Sequence, residues 1–429
     1  MAPLSLTIGL QAISLIFLAC GAAAVYVLWK GCKVLRRMTR GSVRDDAPIL
    51  LKSPRVPPVS VIAVARDSST ATVGFVRRLL DLHFGNHELI LVLEDADLAD
   101  LDVWTREFSL VFSHRSTGGE LNASQVQAAY ESTLPLRMLV LMKNSAGEAD
   151  SWNVGVNAAS SPVVAFFDPE SEFSPDSLLR LIRPMLDEPD LVFAVSGTAP
   201  APAAPGLAGS FAGIEATRMW LGRCAAFAGP QNMMAPVPGS ALLVRRDAII
   251  AAGGFSAGPL ELFVNLQGRA RRSGKPYRAE FVAEPISYLP PTRTLSQLRQ
   301  RVLRDQRAIF RALRRRKGIT GGRFALGWGL PALSFHRFWR PLLETLAYAA
   351  TIAGIVVGWI NLEVGLLVLL TTAGAGMLVS MTSVVLRELA DYRGSDPARL
   401  SRLFWASIPE NFGYRQLRNL WLIGGAFSR

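Results

Sequence analysis

Asn144 to Phe173 reads NSAGEADSWNVGVNAASSPVVAFFDPESEF, and its middle decides the fold. Pro162 to Phe167 is a short, unbroken apolar run with no polar face. That is the pattern of a central strand buried on both sides of a mostly parallel sheet. The run ends on acids, since Asp168 and Glu170, separated by Pro169, stand where the chain leaves the sheet. Ligands of open α/β sheets collect at such strand ends. Two carboxylates one residue apart can hold a hard divalent cation, and that cation can carry a diphosphate. Asp-Pro and Ser are also ordinary turn residues, so a plain strand-terminating turn is the competing reading.

Outward from this stretch, the N-terminal side repeats the strand unit. Val59 to Ala65 reads as a buried strand with Arg66-Asp67-Ser68 as its exit, and Thr72 to Leu82 as a helix with Val73, Val76, Leu79 and Leu80 at helical spacing. Glu88 to Leu93 is a second strand ending in Glu94-Asp95. Strand, helix, strand with acids at the strand ends opens a doubly wound, nucleotide-binding half. Leu101 to Ser113 is expected to give a further helix and strand, Met138 to Met142 another strand, and Pro175 to Leu186 a helix capped by Ser174. Pro200 to Gly213 is an Ala/Pro/Gly-rich loop.

The chain of 429 residues is long enough for two or three domains, and half of it is hydrophobic. Residues 2–29 carry no charged side chain, enough to cross ~30 Å of hydrocarbon at ~1.5 Å per residue. The run is longer than a signal peptide core and lacks a basic segment before it, so it reads as an uncleaved anchor. Lys30, Lys33, Arg36, Arg37, Arg40 and Arg44 follow it, which predicts an outside N-terminus and a cytoplasmic main domain. Leu342 to Ile360 and Val364 to Leu386 are two more runs of spanning length joined by Asn361-Leu362-Glu363. Arginines flank this hairpin on both sides, so it returns to the cytoplasm. The cysteines, Cys20, Cys32 and Cys224, have no metal spacing and fit a reduced compartment.

The net charge of +12 is concentrated beside the anchor and in the segment 293–323, which carries eleven basic residues and one acid, Asp305. As a helix that segment is a cationic amphipath with Leu295, Leu298, Val302, Ile309, Phe310 and Leu313 near one face, suited to the inner leaflet. The distribution favours inner-membrane lipids or phosphates as partners, and nothing in it reads as a nucleic-acid motif.

Gly147-Glu148-Ala149-Asp150-Ser151-Trp152-Asn153-Val154-Gly155, followed by the apolar strand and Asp168, resembles the donor-binding segment of membrane-bound family-two glycosyltransferases. These are GT-A-fold enzymes of bacterial polysaccharide synthesis that use nucleotide sugars. Pro238 to Ile250 with Gly253-Gly254-Phe255 resembles their acceptor-side segment, and Pro409-Glu410-Asn411-Phe412-Gly413-Tyr414-Arg415-Gln416 their closing segment. The resemblance implies an α/β, GT-A doubly wound sheet with an N-terminal transmembrane helix and a C-terminal transmembrane hairpin. It divides the chain into an anchor (1–30), a basic linker (31–55), a GT-A domain (56–292), basic interface helices (293–340), a hairpin (341–386) and a cytoplasmic tail (387–429).

The same resemblance assigns roles. Ala65, Asp67, Glu94, Asp95 and Asn153 would bind the nucleotide of a sugar donor, UDP-linked by expectation. Asp168 and Glu170 would hold Mg2+ or Mn2+, Gly239, Gly254 and Phe255 would lie on the acceptor side, and Arg304 would approach the diphosphate. The match departs from the family where chemistry is done. Glu148 stands in place of Lys, Arg301 in place of Gln and Asp305 in place of Trp. Gly258-Pro259 occupies the place of the Glu-Asp whose Asp is the general base, leaving Glu261 two residues on as the nearest acid. Proline has no group that can accept a proton. Two functions follow: a nucleotide-sugar-binding relative with reduced or lost transfer, working beside other polysaccharide-synthesis subunits, or an active inverting transferase that glycosylates a lipid-linked or glycan acceptor.

Overall fold

A computed structural model describes residues 4–38, 53–115, 118–135, 137–198, 203–227, 239–274, 277–284, 286–315, 329–390 and 397–427. Among the described residues nine strands form one sheet, in the order β10-β8-β9-β6-β1-β2-β5-β4-β3. They are β1 Val59–Ala65, β2 His87–Glu94, β3 Leu110–Ser113, β4 Ala128–Ser132, β5 Met138–Lys143, β6 Val163–Phe167, β8 Val192–Gly197, β9 Ala241–Arg245 and β10 Arg278–Val282. A two-stranded ribbon, β7 Glu172–Phe173 with β11 Ser287–Tyr288, lies apart from it. β1, β2, β5 and β6 run parallel at the centre, while β9 is inserted antiparallel between β6 and β8.

Alternation along β1 explains why both faces are covered. Val59, Val61, Ala63 and Ala65 enter one core with α2 (Thr70–Leu80), α3 (Leu98–Phe108) and α5 (Ser177–Asp187). Ile62 and Val64 point the other way, into a core with α4 (Glu148–Ala158), α6 (Leu207–Phe227), α7 (Arg246–Ala252) and α8 (Pro259–Arg272). A strand buried on both faces must be apolar throughout, which is why these strands were readable as continuous runs.

Three expectations change. α5 starts at Ser177 rather than at Pro175, with Asp176 and not Ser174 at the cap position. The stretch expected as a loop to Gly213 is helical from Leu207, as the start of the 21-residue α6. α9 (Leu295–Arg315) is a helix as expected, but Leu298, Val302 and Ile309 are buried against protein, so its apolar face is not free to lie on a leaflet. That face packs on α8 and on the last helix, α14 (Arg415–Phe427). The rest of the segment expected to lie on the leaflet, 316–323, falls outside the described residues.

The remaining helices among the described residues include α1 (Leu4–Met38), α10 (Gly329–Ser334), α11 (Arg340–Val356), α12 (Leu362–Ala390) and α13 (Pro397–Pro409). Gln11–Lys33 and Leu362–Leu389 are long and apolar enough to cross a membrane. α1, α11 and α12 pack on one another, and α6 packs on α1 and α12, tying the sheet to the apolar helices. Leu18, Val25, Val356, Leu367, Leu370 and Leu378 remain exposed on this unit.

Candidate functional site

Four parallel strands, β1, β2, β5 and β6, end at one edge of the sheet, and antiparallel β9 begins there. Phe167 pairs with Ala241, and the Asp168 N–H donates to the Ser240 carbonyl at 2.8 Å. This register brings the exits of β1, β2 and β6 together.

On the β1–β2 side the acids are engaged. Arg66 Nε donates to Glu94 at 2.7 Å, and the buried Glu94 carboxylate also receives the Ser151 hydroxyl. Lys143, buried beside it, pairs with Asp150 at 2.8 Å and donates to Ser151 Oγ at 3.2 Å. Ala65 closes β1. Asp67 accepts from the Thr72 hydroxyl at 2.7 Å and the Ser69 N–H at 3.1 Å, bonds that hold its carboxyl below the usual range, the Thr72 one foremost. Asp95 is exposed, with φ at 51°, and accepts the Ser145 N–H at 2.7 Å. Asp67 and Asp95 thus shape the loops in which a nucleoside was expected. The Arg66–Glu94–Ser151 chain and the buried Lys143 carry no periodic signal, and sequence reading did not find them.

At the β6 exit, Asp168 is half-buried and Glu170 exposed. The Glu170 N–H donates to Asp168 Oδ1 at 2.9 Å, and Arg304, reaching from α9, donates to Glu170 at 3.2 Å. Desolvation raises the Asp168 carboxyl above its ordinary value, with the Glu170 charge adding to the rise while the Glu170 N–H, Arg301 and Arg304 oppose it. Glu148 is raised too, by desolvation first and then by Glu94 and Asp168, against Arg66 and Arg311. In both groups burial is the leading cause, and nearby carboxylates add to it. Among the described residues no group of three or more His, Cys, Asp or Glu side chains could hold a metal alone. Two carboxylates completed by phosphate oxygens are, however, a usual donor set for Mg2+, so Asp168 and Glu170 fit such an ion.

Asp168, Gly239, Ser240, Pro259, Arg301 and Asp305 line one cavity of about 250 Å3. Gly239, expected on the acceptor side, is part of this wall. Glu261 is not: it is buried in the first turn of α8, accepts the Ser256 hydroxyl at 2.9 Å, and is absent from the cavity wall. Two further carboxylates share the cavity with Pro259 and Asp168: Glu215, held by Arg418 and the Tyr414 hydroxyl, and Asp305, one position past Arg304 on α9. Asp305 had been read only as a lost aromatic.

Asn153, Gly254 and Phe255 are corrected. Asn153 is buried, and its amide is spent on Phe255, accepting the N–H at 2.7 Å and donating to the carbonyl at 3.0 Å. Phe255 packs edge-on against Trp152 and Phe166 in the core. Gly254 has φ at 77°, and a Cβ there would fall 2.5 Å from Asn153 Oδ1. The motif is a clamp between α4 and the α7–α8 turn, and none of its three residues lines the Asp168 cavity.

The family model for glycosyl transferase family 2 matches residues 122–202, the segment from β4 through β8. No curated protein matches the chain in sequence. A mannosyltransferase from Pyrobaculum calidifontis, solved in complex with GDP-Man and Mn2+, superposes with a TM-score of 0.56 at 15% identity, covering 94% of this chain and 99% of that one. Glucosyl-3-phosphoglycerate synthase from Mycobacterium tuberculosis, solved with Mn2+, UDP-Glc and phosphoglyceric acid, gives 0.38 at 12% identity over 63% of this chain and 83% of that one. The first likeness shows a shared fold over 94% of this chain.

Proposed function

We propose that this chain is a membrane-anchored protein of the family-two glycosyltransferase type, which binds a nucleotide sugar at the cytoplasmic face of a bacterial inner membrane and transfers poorly, or not at all, to a hydroxyl acceptor. One observation carries the reading: Asp168 and Pro259 line the same cavity, so the cation site and the position vacated by the base face one space. Glu170 and Arg304 stand beside Asp168, an arrangement able to hold a diphosphate between a cation and a guanidinium. Mg2+ or Mn2+ on Asp168 and Glu170 would neutralise the diphosphate; the mannosyltransferase of the same fold was solved with Mn2+. A base typically contributes about 10²–10⁴-fold in rate, so its loss alone predicts weak hydroxyl transfer. The donor is taken as UDP-linked, with GDP-linked sugar as the second candidate, and the envelope polysaccharide role rests on the sequence resemblance.

Asp305 favours a second reading. Its carboxylate lines the cavity at Pro259, and as a displaced base it would make the protein an active inverting transferase.

Calorimetric titration of the full-length protein with UDP and GDP in Mn2+ buffer tests the proposal. Binding abolished by chelator and weakened at least tenfold by Asp168→Asn is expected. No binding of either nucleotide at any metal concentration overturns it.

A further inference from the structure

A second cavity, about 1300 Å3, lies between α1, α6, α11, α12 and α14. Phe17, Leu18, Val25, Val368, Val379 and Leu386 form much of its wall, so it is apolar along the membrane-length helices. Its other end is cationic. Met219, Arg223 and Arg337 line both this cavity and the smaller one that contains Asp168, so the two adjoin at these side chains.

The guanidinium groups at the junction are unevenly paired. Arg218 is bound to Glu410, Arg415 to Glu344, and Arg418 to Glu215 at 2.6 Å. Arg223, Arg337 and Arg340 have no side-chain hydrogen bond or ion pair among the described residues. Asp305 is the acid nearest in effect to Arg223 and Arg337, and Glu344, already held by Arg415, acts on Arg340. Of the other carboxylates on these walls, Glu215 and Glu344 are already held by Arg418 and Arg415, and Asp168 lies in the smaller cavity. Desolvation draws the Arg223 guanidinium down to about 10, still charged at neutral pH. Desolvated, unpaired charge is costly until an anion meets it.

The walls and the cations call for one molecule with an apolar chain and an anionic head. We infer that the acceptor is a lipid phosphate, its chain in the groove between α1 and α12 and its head on Arg223, Arg337 and Arg340 at the mouth of the Asp168 cavity. This rests on the nucleotide-sugar reading above. It also gives Pro259 a different meaning. A hydroxyl acceptor needs a base, but a phosphate monoester, with a second pKa of about 6, is already ionised at neutral pH. A lipid phosphate oxygen would attack C1 of the sugar as the C1–O bond to the nucleoside diphosphate breaks, and that diphosphate leaves with the electron pair. The product is a lipid phosphosugar, and no proton has to move.

The experiment uses the full-length protein in phosphatidylcholine nanodiscs, with retention of radiolabelled phytanyl phosphate measured against phytanol. At least tenfold preference for the phosphate is expected, with phosphatidylglycerol and inorganic phosphate failing to compete at equal concentration. Arg340→Gln should lose about tenfold in retention while Arg340→Lys keeps most of it, and the double variant Arg223→Gln with Arg337→Gln should lose more. Equal retention of phytanol, or displacement by equal phosphatidylglycerol or inorganic phosphate, overturns the inference. So does unchanged retention in the Gln variants. If those variants fail to fold, the wild-type lipid comparison still decides. Intact UDP or GDP binding without phosphate preference sinks the lipid site alone; phosphate preference without nucleotide binding sinks the glycosyltransferase reading and leaves an anionic-lipid site.

Discussion

Asp168 is held in a conflict that its neighbours create. Desolvation first, and the charge of Glu170 second, raise its carboxyl above the value it has in the unfolded chain. A group raised in this way favours the fold most when protonated, at acid pH, and that contribution is lost as pH rises through the native value. At neutral pH without metal, the ionised side chain therefore strains the fold. Asp168→Asn should raise the metal-free melting temperature, by about a degree or two, while weakening nucleotide binding at least tenfold. A lower melting temperature for the variant would show that the carboxylate is not strained. The acid itself was legible because it follows an apolar run directly. Its neighbour across the cavity, Asp305, was not, since a letter that differs from a motif says nothing of where the side chain points. Asn153 fails in the opposite direction: the letter agrees with the motif, but the amide serves the backbone of Phe255.

That clamp belongs to the scale of elements, because it joins α4 to the turn between α7 and α8. Asn153→Ala would leave the Phe255 N–H and carbonyl unpaired in a buried place, at about 1–3 kcal/mol for each buried group. A fall in urea midpoint with unchanged slope is expected, with Asn153→Asp recovering only the half that accepts the N–H. Equal stability of wild type and the Ala variant would refute the role. The strands were legible at this scale because burial on both faces writes itself as β-branched and aromatic runs. α6 was not, because LAGSFAGIEATRMWLGRCAAF is apolar almost all round and rich in Ala and Gly, so no polar stripe marks its period. α9 was legible as an amphipathic helix, but period reveals an apolar face without naming what covers it, and here protein does.

At the scale of the molecule, the question is how a sheet domain is fastened to helices of membrane length. Arg418 and the Tyr414 hydroxyl both reach Glu215 on α6, at 2.6 and 2.5 Å, so the tail straps α6 from beneath. Asn419 donates to Glu344 on α11 at 2.9 Å, binding the same tail to the hairpin. Such buried charges specify position more than they add stability. With the sheet domain and tail joined, both would lie on one side of a membrane that the apolar helices cross. In the proposed topology that side is the cytoplasm, because basic residues stand after α1, before α11 and after α12, and Lys and Arg near span ends are retained there. The turn before α12 would then face outward. In a variant lacking Cys20, Cys32 and Cys224, an impermeant maleimide added to intact cells should label Cys introduced at exposed Asn361. The same reagent should reach Cys introduced at exposed Ser145, in the loop before α4, only after the membrane is opened. Labelling of Ser145→Cys but not Asn361→Cys in intact cells would invert the topology, and labelling of both would mean that α1 and α12 do not span.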